Sequence, residues 1–216
     1  MQGLFCFPPC RGYCGLGRPG ARSCFVSDPA RVTGIQRALG AFQPMDQHQE
    51  LALRQVQELL AEELGDPLSR SQVHPGHLTA SGLVLTDDDQ SLLLILHRKL
   101  ARWLQPGGHF EAHDVDHVAA ARREVSEEVG LDQLEIISPL YDLDVHTIPA
   151  NPREGEHRHF DLRVLFRCKQ RSLRASDEVA DARYFRLTEL ASAREPLVGS
   201  DDSVARVARR LLTRAR

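Results

Sequence analysis

From residue 45 onward the sequence holds one cysteine, Cys168. A domain of that length with a single thiol has no disulfide framework, and the reducing cytoplasm is its expected setting. Long apolar runs are missing as well. None approaches the roughly 18 residues that span a bilayer, so no membrane partner is expected. Near the start, Pro8 and Pro9 break the one apolar stretch that a secretory signal would need. Basic charge is not in excess: 27 Lys and Arg face 30 Asp and Glu, a net of −3. Chains that grip nucleic acid carry a basic surface, so nucleic acid is not an expected partner. No internal repeat is visible, which sets aside a repeat architecture.

What is present is ordinary for a soluble globular protein: 216 residues, 42% apolar and 26% charged. The charge is unevenly spread. Residues 1–44 hold five arginines and one acid, Asp28, which leaves 22 of 27 basic and 29 of 30 acidic residues in 45–216, a net of −7. Such an acidic domain suits an anionic phosphate substrate only if some carboxylates hold a cation that the phosphates share. Residues 1–44 are rich in Gly, Pro, Arg and Cys, without a sustained period of 3.6 or 2. The spacing of Cys6, Cys10 and Cys14 does not match the usual zinc spacings. The expectation for 1–44 is a disordered extension or a start-site artefact, since Met45 opens a segment of different character. An N-terminal helix and linker are expected over 45–74, and the main folded domain over 75–212.

The helix is predicted from Gln47 to Leu64, where Gly65, Asp66 and Pro67 stop it. Its apolar stripe would pack on the domain or on a second subunit, as in a homodimer. Strands are predicted at Leu78–Leu85, Ser91–His97, Leu134–Ile137, Tyr141–Ile148, His159–Lys169 and Ala182–Phe185. Trp103 to Glu111 reads as a short strand breaking into a glycine turn. A helix follows from His117 to Val129, capped by Asp116 or Asp114 and ended by Gly130. A last amphipathic helix runs from about Ser203 to Arg214. Strands enclosing a helix, with another at the end, predict an α/β or α+β layered domain.

The chemistry concentrates in Gly107 to Leu131. On a helix, Glu124, Glu127 and Glu128 stand at i, i+3 and i+4 and share one face. Three carboxylates there repel one another by a few tenths of a kcal/mol per pair. Arg123 relieves Glu127 at i+4 but cannot neutralise all three. A hard cation can: Mg²⁺ takes oxygen ligands from one or two carboxylates and substrate phosphates. The alternative reading is a solvated acidic helix face. The Gly107–Gly108 turn, the adjoining Arg123 and the closing Gly130–Leu131 favour the metal site.

This segment resembles the Nudix box, G-x5-E-x7-R-E-U-x-E-E-x-G-U with U aliphatic. Arg123 to Leu131 match every specified position. Upstream, Asp114 stands in place of the first Glu and one residue is inserted before Arg123. The resemblance implies a Nudix-type α/β/α sandwich with a mixed β-sheet. It implies a metal-dependent hydrolase that cleaves a diphosphate linkage in a small nucleotide-like substrate. It further implies that Glu124, Glu127 and Glu128 bind Mg²⁺ or Mn²⁺, that the carbonyl of Gly108 completes the metal site, and that Arg123 supports them electrostatically. Candidate bases are Glu127 and Glu178, the latter in a late loop; its bland reading is a solvated loop residue.

Weaker candidates surround this core. His109 in the glycine turn and Arg98, Lys99 and Arg102 nearby are candidates for phosphate contact; each has an equal reading as surface. Trp103 is a candidate for stacking on a base or for the core. His157 and His159, two apart, share a strand face and are candidates for metal or base, or polar edge positions. Two other functions compete: a catalytically silent nucleotide sensor, disfavoured by the intact glutamate set, and an RNA-processing enzyme, disfavoured by the acidic domain.

Overall fold

The computed structural model describes residues 28–62, 64–150, 152, 154–192 and 202–214. Seven strands form one mixed sheet: β1 (Gly76–Thr86), β2 (Ser91–His97), β3 (Arg102–Leu104), β4 (Gly107–His109), β5 (Glu135–Ile148), β6 (His157–Cys168) and β7 (Val179–Arg186). The main order is β3-β2-β1-β6-β5, with β4 paired to β1 and β7 to β2. β1 and β6 run parallel, and the other pairs are antiparallel. Among the described residues five helices flank the sheet: α1 (Pro29–Ala41), α2 (Gln47–Ala61), α3 (His117–Val129), α4 (Leu187–Ser192) and α5 (Asp202–Arg214).

Side chains alternate along β1 and divide the core in two. Leu78, Ala80 and Val84 join the apolar cluster under α1, α2 and α3, whereas Leu83 and Leu85 join that under α4 and α5. The α/β/α sandwich expected from the sequence is therefore present. No helix among the described residues is long and apolar enough to cross a membrane.

Three readings need correction. The expected disorder over 1–44 fails for residues 29–41, which form α1; the cysteines at 6, 10, 14 and 24 lie outside the described residues. Asp28 caps α1 through Ala30 N and Pro29 opens it. Ile35 and Leu39 are buried in the core shared with α2. Gly34 and Gly40 weaken the intrinsic helical signal, so packing on α2 is what holds this helix. Second, α2 ends at Ala61, with Glu62 as its C-cap. Its residues Ala52, Val56 and Leu59 are buried within the chain, so the stripe packs on the domain, the first of its two expected roles, while Leu51 stays exposed. Third, the strands expected at 134–137 and 141–148 are one strand, β5. Its register slips on β6 between Ile136 and Asp142, where Pro139 has no N–H to donate to the ladder.

A polar band crosses the sheet face beneath α5. Arg163 is 1% exposed. It donates from Nε to Asp161 Oδ2 at 2.8 Å and from Nη1 to Asp142 Oδ2 at 3.2 Å. Its Nη2 lies 3.4 Å from Asp144 Oδ2. Arg210 of α5 and Gln49 of α2 reach Asp142 Oδ1 at 2.6 and 2.7 Å. These contacts join β5, β6, α2 and α5.

Candidate active site

Asp116 caps α3 by accepting from Ala119 N at 2.7 Å, and Gly130 ends it at φ 69°. The helix lies close against β1 because Gly82 has no side chain: a Cβ there would stand 2.4 Å from Val125 Cγ2. With Ala121, Val125 and Val129 buried, the helix has one rotational setting, and it turns Glu124 and Glu128 toward the glycine turn. The glycine at 82 is a site-building residue that sequence reasoning missed. Its signal is a glycine inside an otherwise apolar strand.

The turn meets the helix at two points. Gly107 N donates to Glu128 Oε2 at 3.0 Å. At Gly108 a Cβ would stand 2.6 Å from Glu124 Oε1, so the bare backbone is what lets that carboxylate sit beside the turn. Burial pushes Glu128 up to about 8, and the charges of Glu124, Glu178 and Glu127 add to the rise against the Gly107 hydrogen bond. Burial raises Glu124 too, opposed by Arg123. Glu127 is the exposed member of the three, its side chain 59% accessible.

Arg123 organises the cluster. Its Nη1 lies 2.9 Å from both Glu124 Oε1 and Glu127 Oε2. Its Nε and Nη2 grip Asp114 at 3.1 and 3.0 Å, and Nη2 also donates to His109 O at 2.8 Å. Asp114 accepts from Glu111 N at 2.7 Å as well. So Asp116 takes the capping role, and Asp114, in place of the expected glutamate, holds Arg123 against the turn. These bonds outweigh the effect of burial and keep Arg123 charged.

Glu178 arrives from the loop before β7. That loop is docked on the end of α3 by Ser176 N to Glu128 O at 3.0 Å and Arg174 N to Val129 O at 2.9 Å. Glu178 is 66% accessible, with Lys99 Nζ 4.0 Å away, and its charge is felt at Glu128. The arrangement thus brings Glu124, Glu127, Glu128, Gly108, Arg123 and Glu178 to one place.

Other candidates fall elsewhere. Arg98 spends its guanidinium on the same loop, donating from Nε to Asp177 O at 2.9 Å and from Nη2 to Val179 O at 3.2 Å. It therefore holds the loop rather than offering a free fork to phosphate. Trp103 is buried edge-on to Phe185 at 4.9 Å, under α4 and α5 and so on the sheet face away from α3. Arg102 is exposed on β3. The His109 ring turns to the sheet face away from α3, beside His77 and His159, and burial pushes it down to about 4, helped by the charge of His77.

The oxygen donors of Glu124, Glu127, Glu128 and Gly108 fit a hard divalent cation. Buried Glu128 and half-buried Glu124 both resist ionisation, and a bound cation would stabilise their charged forms.

The chain is similar to known proteins in this region. The NUDIX domain family model matches residues 76–207. No curated protein matches. Among solved structures, a NUDIX-family hydrolase from Clostridium perfringens is 22% identical, covering 65% of this chain and 98% of that one, with a TM-score of 0.49. The E. coli dihydroneopterin triphosphate pyrophosphohydrolase is 14% identical over 63% of this chain and 95% of its own, at 0.48. A C. elegans Ap4A hydrolase is 18% identical over 63% and 97%, at 0.46. The family model alone spans more than half of the sequence, and the chain belongs to the Nudix hydrolase family.

Proposed function

We propose that the chain hydrolyses a diphosphate linkage in a nucleoside diphosphate joined to another group, with Mg²⁺ or Mn²⁺ as cofactor. The observation that carries this reading is the seating of buried Glu128 and half-buried Glu124 against the Gly107–Gly108 turn, on the helix face they share with Glu127. Glu124, Glu127, Glu128 and the carbonyl of Gly108 would hold the cation. A divalent cation supplies charge neutralisation to the phosphates and acidity to the attacking water. Arg123 is a positioning residue that fixes Glu124 and Glu127 relative to Asp114 and the turn. The proton of the attacking water passes to a carboxylate in reach of solvent. Glu127 and Glu178 meet that requirement, since both are largely accessible. With Arg98 committed to the loop and Trp103 to the core, the exposed Arg102 is the one of these three left free to contact substrate.

The test is nucleotide or phosphate release from ADP-ribose, NADH, sugar nucleotides, dinucleoside polyphosphates, CoA and nucleoside triphosphates. It is run with Mg²⁺, Mn²⁺ or chelator, alongside Glu127→Gln. Metal-dependent turnover of one class, lost in the variant, is the expected result. Tight nucleotide binding with no turnover across the panel would instead identify a silent sensor.

A further inference from the structure

Outside the glutamate cluster, four histidines from three strands converge: His77 on β1, His109 on β4, and His157 and His159 on β6. The parallel register sets His77 beside His159, and the antiparallel one sets His109 beside Thr79. Strand alternation then puts all four rings on the sheet face away from α3. Ring centroids are 4.8 Å apart for His77 and His159, 5.1 Å for His77 and His157, 5.0 Å for His77 and His109, and 5.1 Å for His109 and His159. The ligand nitrogens of His77, His157 and His159 all lie within 4.8 Å of one another.

The tautomers are set by backbone. His77 Nδ1 lies 3.0 Å from Gln72 O, and His157 Nδ1 lies 2.8 Å from Gly155 O. A carbonyl only accepts, so both Nδ1 atoms carry the proton. In the neutral rings the two Nε2 atoms are then bare lone pairs aimed into the cluster. His77 is 1% exposed, and its Nε2 is buried without a hydrogen-bond partner among the described residues. His157 Nε2 stands 3.3 Å from His159 Nε2. Two ligands about 2.0–2.1 Å from a tetrahedral zinc are separated by about 3.3 Å. A ring that donates its outer N–H to a carbonyl while its inner nitrogen faces a cavity is the usual arrangement around a bound metal.

We infer that His77, His157 and His159 form a second metal site, for Zn²⁺ or a chemically similar transition-metal dication, separate from the carboxylate site. Imidazole nitrogens suit zinc, copper or nickel, whereas Mg²⁺ wants oxygen. The chain thus offers two sites of different chemistry on opposite faces of one sheet. The His109 ring, 5.0 Å from that of His77 and 5.1 Å from that of His159, or a water would supply the fourth ligand. Bound metal would clamp β1 to β6 beside the glycine turn.

The full chain, stripped with chelator and then held in excess Mg²⁺ to fill the carboxylate site, is titrated with Zn²⁺ and with Co²⁺. One equivalent of Zn²⁺ should bind, and Co²⁺ should give the strong visible bands of a four-coordinate nitrogen site. His157→Gln and His159→Gln should each weaken binding by more than the roughly 10–100-fold that loss of a supporting partner costs. Glu127→Gln should leave it unchanged. On the unmutated chain, the imidazole nitrogen resonances of three histidines should shift with one equivalent of Zn²⁺, a readout independent of how the variants fold. No binding in excess Mg²⁺, binding that follows Glu127 instead of the histidines, or unmoved imidazole resonances would each overturn the inference.

Discussion

The backbone N–H of Gly107 donates to Glu128 Oε2 across 3.0 Å, and this one bond joins the glycine turn to the last glutamate of the cluster. It does not offset what burial costs that carboxylate, whose pKa is pushed from 4.5 up to about 8. Between those pH values the folded chain keeps a proton that the unfolded chain has released. Stability contributed by Glu128 is therefore present below about pH 4.5 and lost as pH rises toward about 8, at no more than about 1.4 kcal/mol per pH unit. A cation bound to the carboxylates favours the ionised form and opposes this loss. Melting temperature in chelator is expected to fall between about pH 5 and 8, and Mg²⁺ is expected to restore more of it at pH 8 than at pH 5. A Mg²⁺ effect independent of pH would count against cation binding at Glu128.

Gly108→Ala should separate site geometry from fold stability. The added Cβ would lie 2.6 Å from Glu124 Oε1 and 2.8 Å from its Cδ. Glu124 ends a flexible side chain, so the carboxylate moves and the backbone stays. Displacement of a catalytic group by about 1 Å costs on the order of a hundredfold in rate. The expected result is a loss of turnover of about that size, with a melting temperature close to that of the unmodified chain. Unchanged turnover would mean that Glu124 does not need its place beside the turn.

How much of this was legible in the sequence depends on the distance over which each feature is specified. Helix α3 was readable because its cap, Asp116, its end, Gly130, and its face of Glu124, Glu127 and Glu128 all lie within 15 residues. His157 and His159 were readable as a pair on one face, since alternation is local. Their partner His77 was not, because it arrives by a parallel pairing of strands about 80 residues apart. The Arg163 band was hidden for a related reason. Asp142, Asp144, Asp161 and Arg163 look like outward positions on two strands, and only α2 and α5 cover them. Trp103 and Arg98 show the converse. Near the box in sequence, they are drawn off by Phe185 on one face and by the carbonyls of the 177–179 loop.

The Arg163 band carries the next prediction. Burial alone would push Asp144 up, but Arg163, with hydrogen bonds to His146 and His48, holds it well below the ordinary carboxylate range. A depressed carboxylate stabilises the fold above its unfolded pKa of about 3.9, and that stability is lost as pH falls below it. Arg163→Met takes from buried Asp161 the one cation that pairs with it among the described residues, a change that costs about 3–5 kcal/mol. Urea unfolding at neutral pH should show a loss of that order, and acid unfolding should begin at a higher pH than in the unmodified chain. A loss under about 1 kcal/mol would place the band among ordinary surface ion pairs.

Helix α1 makes the last prediction, on the part of the chain that composition assigned to an extension. Ile35 and Leu39 are buried against the α2 side of the core, and Arg31 Nη2 donates to Glu111 O at 2.9 Å, just after the glycine turn. Leu39→Ala should cost about 2–5 kcal/mol, as core truncations do. A chain begun at Met45 loses both anchors and Phe42 as well. It is expected to melt at a lower temperature than Leu39→Ala, because it exposes the apolar face of α2 at Val56 and Leu59 to water. Its turnover should fall too, through the released Glu111 carbonyl, whereas Leu39→Ala leaves Arg31 in place and should spare the rate. If the Met45 chain is as stable and as active as the full one, residues 29–41 are dispensable and the domain is complete without them.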